Sequence, residues 1–295
     1  MTRLEKFGWT GEDRMGIARI VSAHGDYYHL VCNETGGEII ARKKKSAFAG
    51  KNTKSRMVSG KAGNIEKRER AQEDVISPMT GDFVEFRYNK YGESLITSIL
   101  PRFSKFERRD PTARRKSQIL AVNFDTLFVM MSLNEDFSIA RIERYLALAE
   151  DSGNANVVVV LTKMDLWQEG DDELIGELEE AIGGRARLLK ISSLRGEGMD
   201  GVLEYVRPGK TVAFVGSSGV GKSTLLNFLA GEEWAATQEV QEWSGKGRHT
   251  TTSRELVLLP SGALVLDTPG VREIGMVGEE ELQTVKGEAS HRWRK

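Results

Sequence analysis

TVAFVGSSGVGKSTLLNFLAG, residues 211–231, decides how the rest of the chain is read. A short apolar strand precedes a glycine-rich turn, and a helix-forming run follows it. Residues 216–223, GSSGVGKS, satisfy G-x-x-x-x-G-K-[ST] in full, in the strand–loop–helix setting that the motif requires. The glycines let backbone N–H groups wrap phosphate oxygens, and the start of the helix adds positive potential. On this reading Gly216, Ser217, Ser218, Gly219, Val220 and Gly221 form a phosphate loop, with Thr224 just behind it. Lys222 reaches the β- and γ-phosphates, and Ser223 offers its hydroxyl to Mg²⁺. An incidental Gly-rich turn would not bring Lys and Ser to these two places.

Two further motifs follow apolar strands. DTPG, residues 267–270, ends the run ALVL. An acidic residue there suits the Mg²⁺ shell, so Asp267 is the expected second contact, made through water, and Gly270 can donate its N–H to a γ-phosphate. LTKMDL, residues 161–166, follows NVVVV. In such a TKxD element (Thr162, Lys163, Met164, Asp165) the Lys stem lies along the base plane and the Asp carboxylate accepts from two N–H groups of guanine. Adenine would leave that carboxylate unpaired, which is strong discrimination. Thr162 stands where Asn is more usual. ISSL, residues 191–194, ends another strand and suits the loop that meets the guanine oxygen, through Ser192 and Ser193.

The order is unusual: the guanine elements come first, then the phosphate loop, then DTPG. A circular permutation preserves such a site, because the old ends are rejoined and a new break opens elsewhere. Around these motifs the chain alternates strands with helices. AVNFDTLFVMMSL reads as one buried strand, SIARIERYLALAEDSG and DDELIGELEEAIGG as helices, and NVVVVLT, ARLLKISS, RELVLL and ALVLDT as strands. That pattern predicts a mostly parallel sheet covered on both faces, over residues 117–275.

Residues 15–116 read differently. GIARIVSA, DYYHLVCNE, GEIIARK, GDFVEFRY and ESLITSIL are five short β segments with Gly-marked turns, the pattern of an OB-fold-like barrel. Residues 1–14 read as a loose or weakly helical lead-in, and 276–295 as a polar helical tail. The loop at 42–73 and the connection at 101–116 are rich in Lys and Arg, including Lys43, Lys44, Lys45, Arg108, Arg109, Arg114 and Arg115. Such segments attract phosphate backbones and point to RNA. A solvated loop is the plainer alternative.

Bulk properties set the frame. The 295 residues are 39% hydrophobic and 29% charged, with a formal net charge of -1. These values suit a soluble chain of about two domains. The single cysteine, Cys32, excludes an internal disulfide and fits a reducing compartment. The first residues lack a signal-peptide core, and no apolar run has the length of a membrane span, so no membrane partner and a cytoplasmic location are expected. His24, His29 and Cys32 lie on or beside one barrel strand, where ordinary structural roles are expected rather than a metal site.

Permuted GTPase motifs behind an N-terminal barrel resemble the RsgA/YjeQ family of small-ribosomal-subunit biogenesis GTPases. ILPR at 99–102, AVNFDTLFVM at 121–130, RIERYLALAEDSG at 141–153 and GRHTTTSREL at 247–256 add to the likeness. The resemblance implies a GTPase that binds the 30S subunit and its rRNA, is stimulated by the subunit, and uses GTP with Mg²⁺. Members of that family typically carry a C-terminal zinc domain. With one cysteine in this chain, zinc is not expected here. A monomer is expected.

Hydrolysis poses a chemical question. The position after the DTPG glycine, where Ras-like enzymes hold a water-orienting Gln, is Val271. Valine cannot hydrogen-bond water. GRHTTTS, residues 247–253, is the natural switch segment, with Thr251 favoured for Mg²⁺ and Thr250 next. His249 is the candidate to orient or activate water; a solvated loop histidine is the alternative. Two other functions fit the sequence less well. One is an rRNA-binding protein with a near-inert GTP sensor, and the other is a P-loop kinase or ATPase, against which TKMD argues.

Overall fold

The computed structural model describes residues 1–12, 14–44, 48, 77–108, 118–134, 136–231 and 255–267. The lead-in holds one short helix, α1 (Arg3–Lys6), capped by Thr2, whose hydroxyl accepts from the Glu5 amide. Five strands then form the barrel: β1 (Ile17–His24), β2 (Tyr27–Cys32), β3 (Ile39–Lys43), β4 (Phe83–Arg87) and β5 (Ser94–Ile99). They run in the order β1-β2-β3-β5-β4, and β4 pairs back to β1 to close the ring. Ala18, Ile20, Leu30, Val84, Phe86 and Ile96 alternate inward and fill it. Alternation is the two-residue period of a pleated strand, and each fully buried Val, Ile, Leu or Phe contributes about 1.5–3 kcal/mol.

The α/β unit follows, with β6 (Lys105–Arg108), β7 (Gln118–Val122), β8 (Thr126–Ser132), α2 (Ile139–Ala149), β9 (Asn156–Thr162), α3 (Asp171–Ile182), β10 (Arg187–Lys190), α4 (Met199–Leu203), β11 (Thr211–Val215), α5 (Lys222–Ala230), β12 (Glu255–Leu258) and β13 (Leu264–Asp267). The sheet order β10-β9-β8-β11-β13 is parallel, with β12 antiparallel at its end. Buried side chains alternate between its two faces. On β8, Leu127, Val129 and Met131 pack with α2 and α3, while Phe128 and Met130 pack with α4 and α5. Helix α2 shows why: Ile142, Tyr145, Leu146 and Ala149 recur at helical spacing on its buried side. This is a three-layer α/β/α arrangement, as the alternating pattern predicted.

One local expectation is corrected. AVNFDTLFVMMSL is not one strand. Asn123 takes a left-handed φ of 53° and breaks it into the end of β7 and all of β8. Asparagine tolerates that conformation, so the apolar run could turn without a glycine. Part of the 101–116 connection is also structured: β6 pairs with β7 in a separate two-stranded sheet, and Phe106 is buried in the α/β core.

The barrel and the α/β unit share one sheet. Strand β1 pairs with β4 through its first half. A register shift between Ile20 and Ser22 then brings Ser22 opposite Glu255 of β12. A β-bulge redirects a strand in this way. Val21 and Val31 thereby join the large core of the α/β unit.

Beside this seam Arg19 is fully buried. Its guanidinium donates to the Phe7 carbonyl (2.6 Å), the Asn123 carbonyl (2.7 Å), the Thr211 hydroxyl (2.9 Å) and, at 3.4 Å, the Gly81 carbonyl. It also lies 4.8 Å from the Phe83 ring centroid. One side chain thus ties the lead-in, the barrel and the α/β unit together. Burial pulls its pKa down to about 10, so the charge is held at a desolvation cost that its acceptors offset. No helix of the described residues is long and apolar enough to cross a membrane.

Candidate nucleotide site

The C-terminal ends of β9, β11 and β13 lie along one edge of the parallel sheet, where open α/β sheets bind ligands. The sequence motifs stand there. Strand β11 is buried along its whole length and delivers Gly216. A Cβ at Gly216 would lie 2.6 Å from the Met130 carbonyl, so only glycine lets the loop pass that close to β8. Gly219 and Gly221 take φ of 75° and 96°, and Gly221 caps α5. The Lys222 ammonium folds back on the loop and donates to the Gly216 and Ser217 carbonyls at 2.6 Å each. Ser223 and Thr224 are exposed on the first turn of α5. Among the described residues the Ser217 hydroxyl is buried without a hydrogen-bond partner.

The guanine elements adjoin this loop. Thr162 ends β9 and is buried. Its hydroxyl donates to the Val220 carbonyl at 2.7 Å, with the Met131 carbonyl at 3.2 Å. Lys163 takes a left-handed φ of 60°, turning the chain into the short 3₁₀ turn Met164–Leu166. The Met164 amide donates to the Ile191 carbonyl, joining the TKMD turn to the ISSL loop. There Ser192 donates to Asp165 Oδ1 at 2.6 Å, leaving Oδ2 of that carboxylate for another donor. Ser192 itself is buried, and Ser193 beside it is half-buried.

The ISSL loop closes on itself: the Ser192 and Glu197 backbones exchange hydrogen bonds at 3.0 and 3.1 Å. Gly198 makes that possible. A Cβ there would meet the Lys190 carbonyl at 2.1 Å, and its φ is 70°. Sequence reading missed Gly198, although the RGEG run beside ISSL carried a turn signal.

So the structure brings Thr162, Lys163, Met164, Asp165, Ser192 and Ser193 together with Gly216 through Thr224. Asp267 ends β13, the neighbour of β11, and Leu266 pairs with Ala213. His249, Thr250, Thr251, Gly270 and Val271 lie outside the described residues. Of the basic candidates, Lys43 ends β3, Lys44 is exposed just after it, and Arg108 ends β6, paired with Gln118 of β7. Lys45, Arg109, Arg114 and Arg115 lie outside the described residues.

Hydroxyl and carboxylate oxygens are the donors that Mg²⁺ accepts, so Ser223 on α5 and Asp267 on β13 suit that ion.

Comparisons with known proteins agree with this geometry. The sequence profile of the RsgA GTPase family matches residues 99–277. The small ribosomal subunit biogenesis GTPase RsgA 2 of Lactiplantibacillus plantarum is 39% identical over 265 residues, spanning 90% of this chain and 68% of that protein. The RsgA of Leptospira interrogans is 39% identical over 271 residues, spanning 90% and 67%. Among solved structures, YjeQ from Thermotoga maritima superposes with a TM-score of 0.58 at 25% identity, covering 86% of this chain and 74% of that one. YloQ, described as a circularly permuted GTPase, gives 0.52 at 20% identity, covering 88% and 74%, and so shares the fold. With its guanine elements ahead of its phosphate loop and a barrel before both, this chain belongs to the RsgA GTPase family.

Proposed function

We propose that this protein hydrolyses GTP during late maturation of the small ribosomal subunit, docking on its rRNA and turning over slowly until the subunit orders its switch segment. The observation that carries the nucleotide assignment is the joining of two loops. Thr162 bonds to the phosphate loop at Val220, and Ser192 holds Asp165, so base reading and phosphate binding share one rigid frame. Asp165 accepts from guanine, Lys163 lies along the base, and Ser192 and Ser193 flank its oxygen. The backbone of Gly216–Gly221 and the Lys222 ammonium hold the phosphates. To do so Lys222 exchanges its two loop carbonyls for phosphate oxygens, a charge-assisted gain. Ser223, Thr251 and Asp267 would hold Mg²⁺ through their hydroxyl and carboxylate oxygens. When bound, that ion neutralises charge developing on the β- and γ-phosphates.

Val271 cannot orient water, so His249 in the switch segment takes that role, and the Gly270 amide meets the γ-phosphate. The barrel and the basic residues Lys43, Lys44, Lys45, Arg108, Arg109, Arg114 and Arg115 supply the rRNA contacts. The protein acts in the cytoplasm as a monomer. One observation favours a second reading, a near-inert GTP sensor: the valine at 271. Phosphate release from GTP, measured with and without purified 30S subunits at low salt, separates the two. Strong stimulation supports the assembly GTPase. GTP binding without stimulated turnover supports the sensor.

A further inference from the structure

The three exposed tyrosines among the described residues all belong to the barrel: Tyr27 starts β2, and Tyr88 and Tyr91 lie between β4 and β5. Scattered exposed apolar side chains are ordinary on a protein surface, but these are not scattered. The register leads from Tyr27 to the two strands that flank the turn carrying the other two. Tyr27 of β2 pairs with Arg42 of β3, Arg42 with Leu95 of β5, and Leu95 with Arg87 of β4. This row crosses the outer face of the barrel, where strand alternation turns the intervening Tyr28, Ala41, Ser94 and Phe86 inward.

Arg42 joins the row to its neighbours, its guanidinium donating to the Tyr27 hydroxyl. Its guanidinium carbon sits 4.3 Å from the Tyr27 ring centroid, and its Nε pairs with Glu93 at 2.6 Å. Leu95 is 39% exposed beside it. At the far end, the turn between β4 and β5 presents Tyr91, which is 91% exposed, with the Lys90 ammonium 5.7 Å from its ring. The turn is held in shape by Asn89, whose amide donates to the Ser94 hydroxyl and whose side chain accepts from the Tyr91 amide. The tyrosine is therefore presented on a braced turn.

Aromatic rings interleaved with cations, on the middle strands of a small barrel, suit an unpaired nucleic-acid strand. Bases stack on tyrosine rings or guanidinium planes, and the cations meet phosphates. A-form duplex hides its base faces, so a stacking row offers it little. Resting on the reading of the barrel as the rRNA-binding part, we propose that the row from Tyr27 through Arg42 and Leu95 to Tyr91 is a stacking platform for unpaired RNA bases. The flanking lysines Lys43 and Lys44 then supply attraction without base contact.

Stacking and charge separate by salt dependence, because counterion release follows phosphate contacts alone. The test is fluorescence anisotropy of the full chain with a labelled single-stranded oligoribonucleotide and with the matching duplex, over a salt series. The expected result is preference for the single strand. Tyr27→Ala and Tyr91→Ala should each weaken single-strand binding about tenfold with the salt slope unchanged. Tyr27→Phe should retain affinity, which guards against a folding defect, and unstimulated GTP turnover should be unaffected in all three. A Lys43→Gln, Lys44→Gln double variant should flatten the salt slope instead. Alanine variants that bind as tightly as the parent, or a preference for duplex, would overturn the platform. If the parent chain binds 30S subunits while the tyrosine variants bind equally well, only the platform fails. If it binds neither RNA nor subunits, the assembly role fails with it.

Discussion

The Thr162 hydroxyl reaches across to the Val220 carbonyl at 2.7 Å, so the end of one strand is fastened to the loop after another. Permutation does not disturb this bond, because it depends on strand order in the sheet and not on chain order. Thr162→Val keeps the shape and removes the donor. A neutral hydrogen bond contributes about 1 kcal/mol, so GTP should bind about fivefold more weakly. Thr162→Ser should restore it. Calorimetric titration with GTP gives the answer, and an unchanged affinity for the valine variant would remove Thr162 from the frame.

Ser192 donates to Oδ1 of Asp165 and leaves Oδ2 for another donor. Asp165→Asn replaces one acceptor by a donor. GTP affinity should fall about a hundredfold, the loss of two charge-assisted bonds. Xanthosine triphosphate carries a carbonyl where guanine has its amino group, so it should bind this variant better than GTP does. Competition binding with both nucleotides is the measurement. A variant that still prefers GTP would mean that another group reads the base.

For His249 the readout is kinetic. His249→Ala should lower subunit-stimulated turnover about a hundredfold, the low end for a positioned acid–base group, with GTP affinity kept. Single-turnover hydrolysis resolves this from product release. Full turnover in the variant would return the histidine to an ordinary loop role.

Arg19 tests the seam between the two halves. Arg19→Met removes a costly buried charge but strands the Phe7 and Asn123 carbonyls and the Thr211 hydroxyl, while the Gly81 carbonyl keeps its bond from the Asn123 side-chain amide. Several orphaned acceptors outweigh the relief, so a net loss of about 3 kcal/mol is expected. Thermal melting should show it as a midpoint lower by roughly 6–12 °C. A variant as stable as the parent would mean that the packed apolar seam holds without the guanidinium.

Asp82 gives the pH test. It is buried, takes two 2.7 Å bonds from Arg102, and accepts the Met79 amide. Burial outweighs these partners and raises its pKa above 3.8. Between 3.8 and the raised folded value, the folded protein binds more protons at this site than the unfolded chain does. Its contribution to stability is therefore full below 3.8 and is lost as pH rises through that folded value. Denaturant unfolding of the parent and Asp82→Asn, from about pH 4 to about pH 7, should show the parent's advantage shrinking as pH rises. A constant gap would place the folded pKa at its ordinary value.

Much of the α/β unit was legible because its signals are local. GSSGVGKST needs only its flanking strand and helix, and the period of α2 is written in Ile142, Tyr145, Leu146 and Ala149. The barrel strands were legible for the same reason, by alternation and Gly-marked turns. What was hidden is either conformational or distant. Asn123 turns a run that composition shows as continuous, and nothing near Ser22 announces Glu255 as its partner. In the site, the residue types of Thr162, Asp165 and Ser192 were legible. The Thr162–Val220 bond was not, because it joins loops brought together only by the parallel order of β9, β8 and β11.

The pairing of β1 with β12 also shapes how the chain is born. On the ribosome β1 emerges among the first strands and β12 among the last. The barrel can close through β4 early, yet the second half of the β1 edge stays bare until β12 is made. A bare strand edge is a template for wrong pairing. The seam beside the barrel is therefore completed only when β12 arrives, and a nascent or truncated chain ending before Glu255 should be the form most in need of a chaperone.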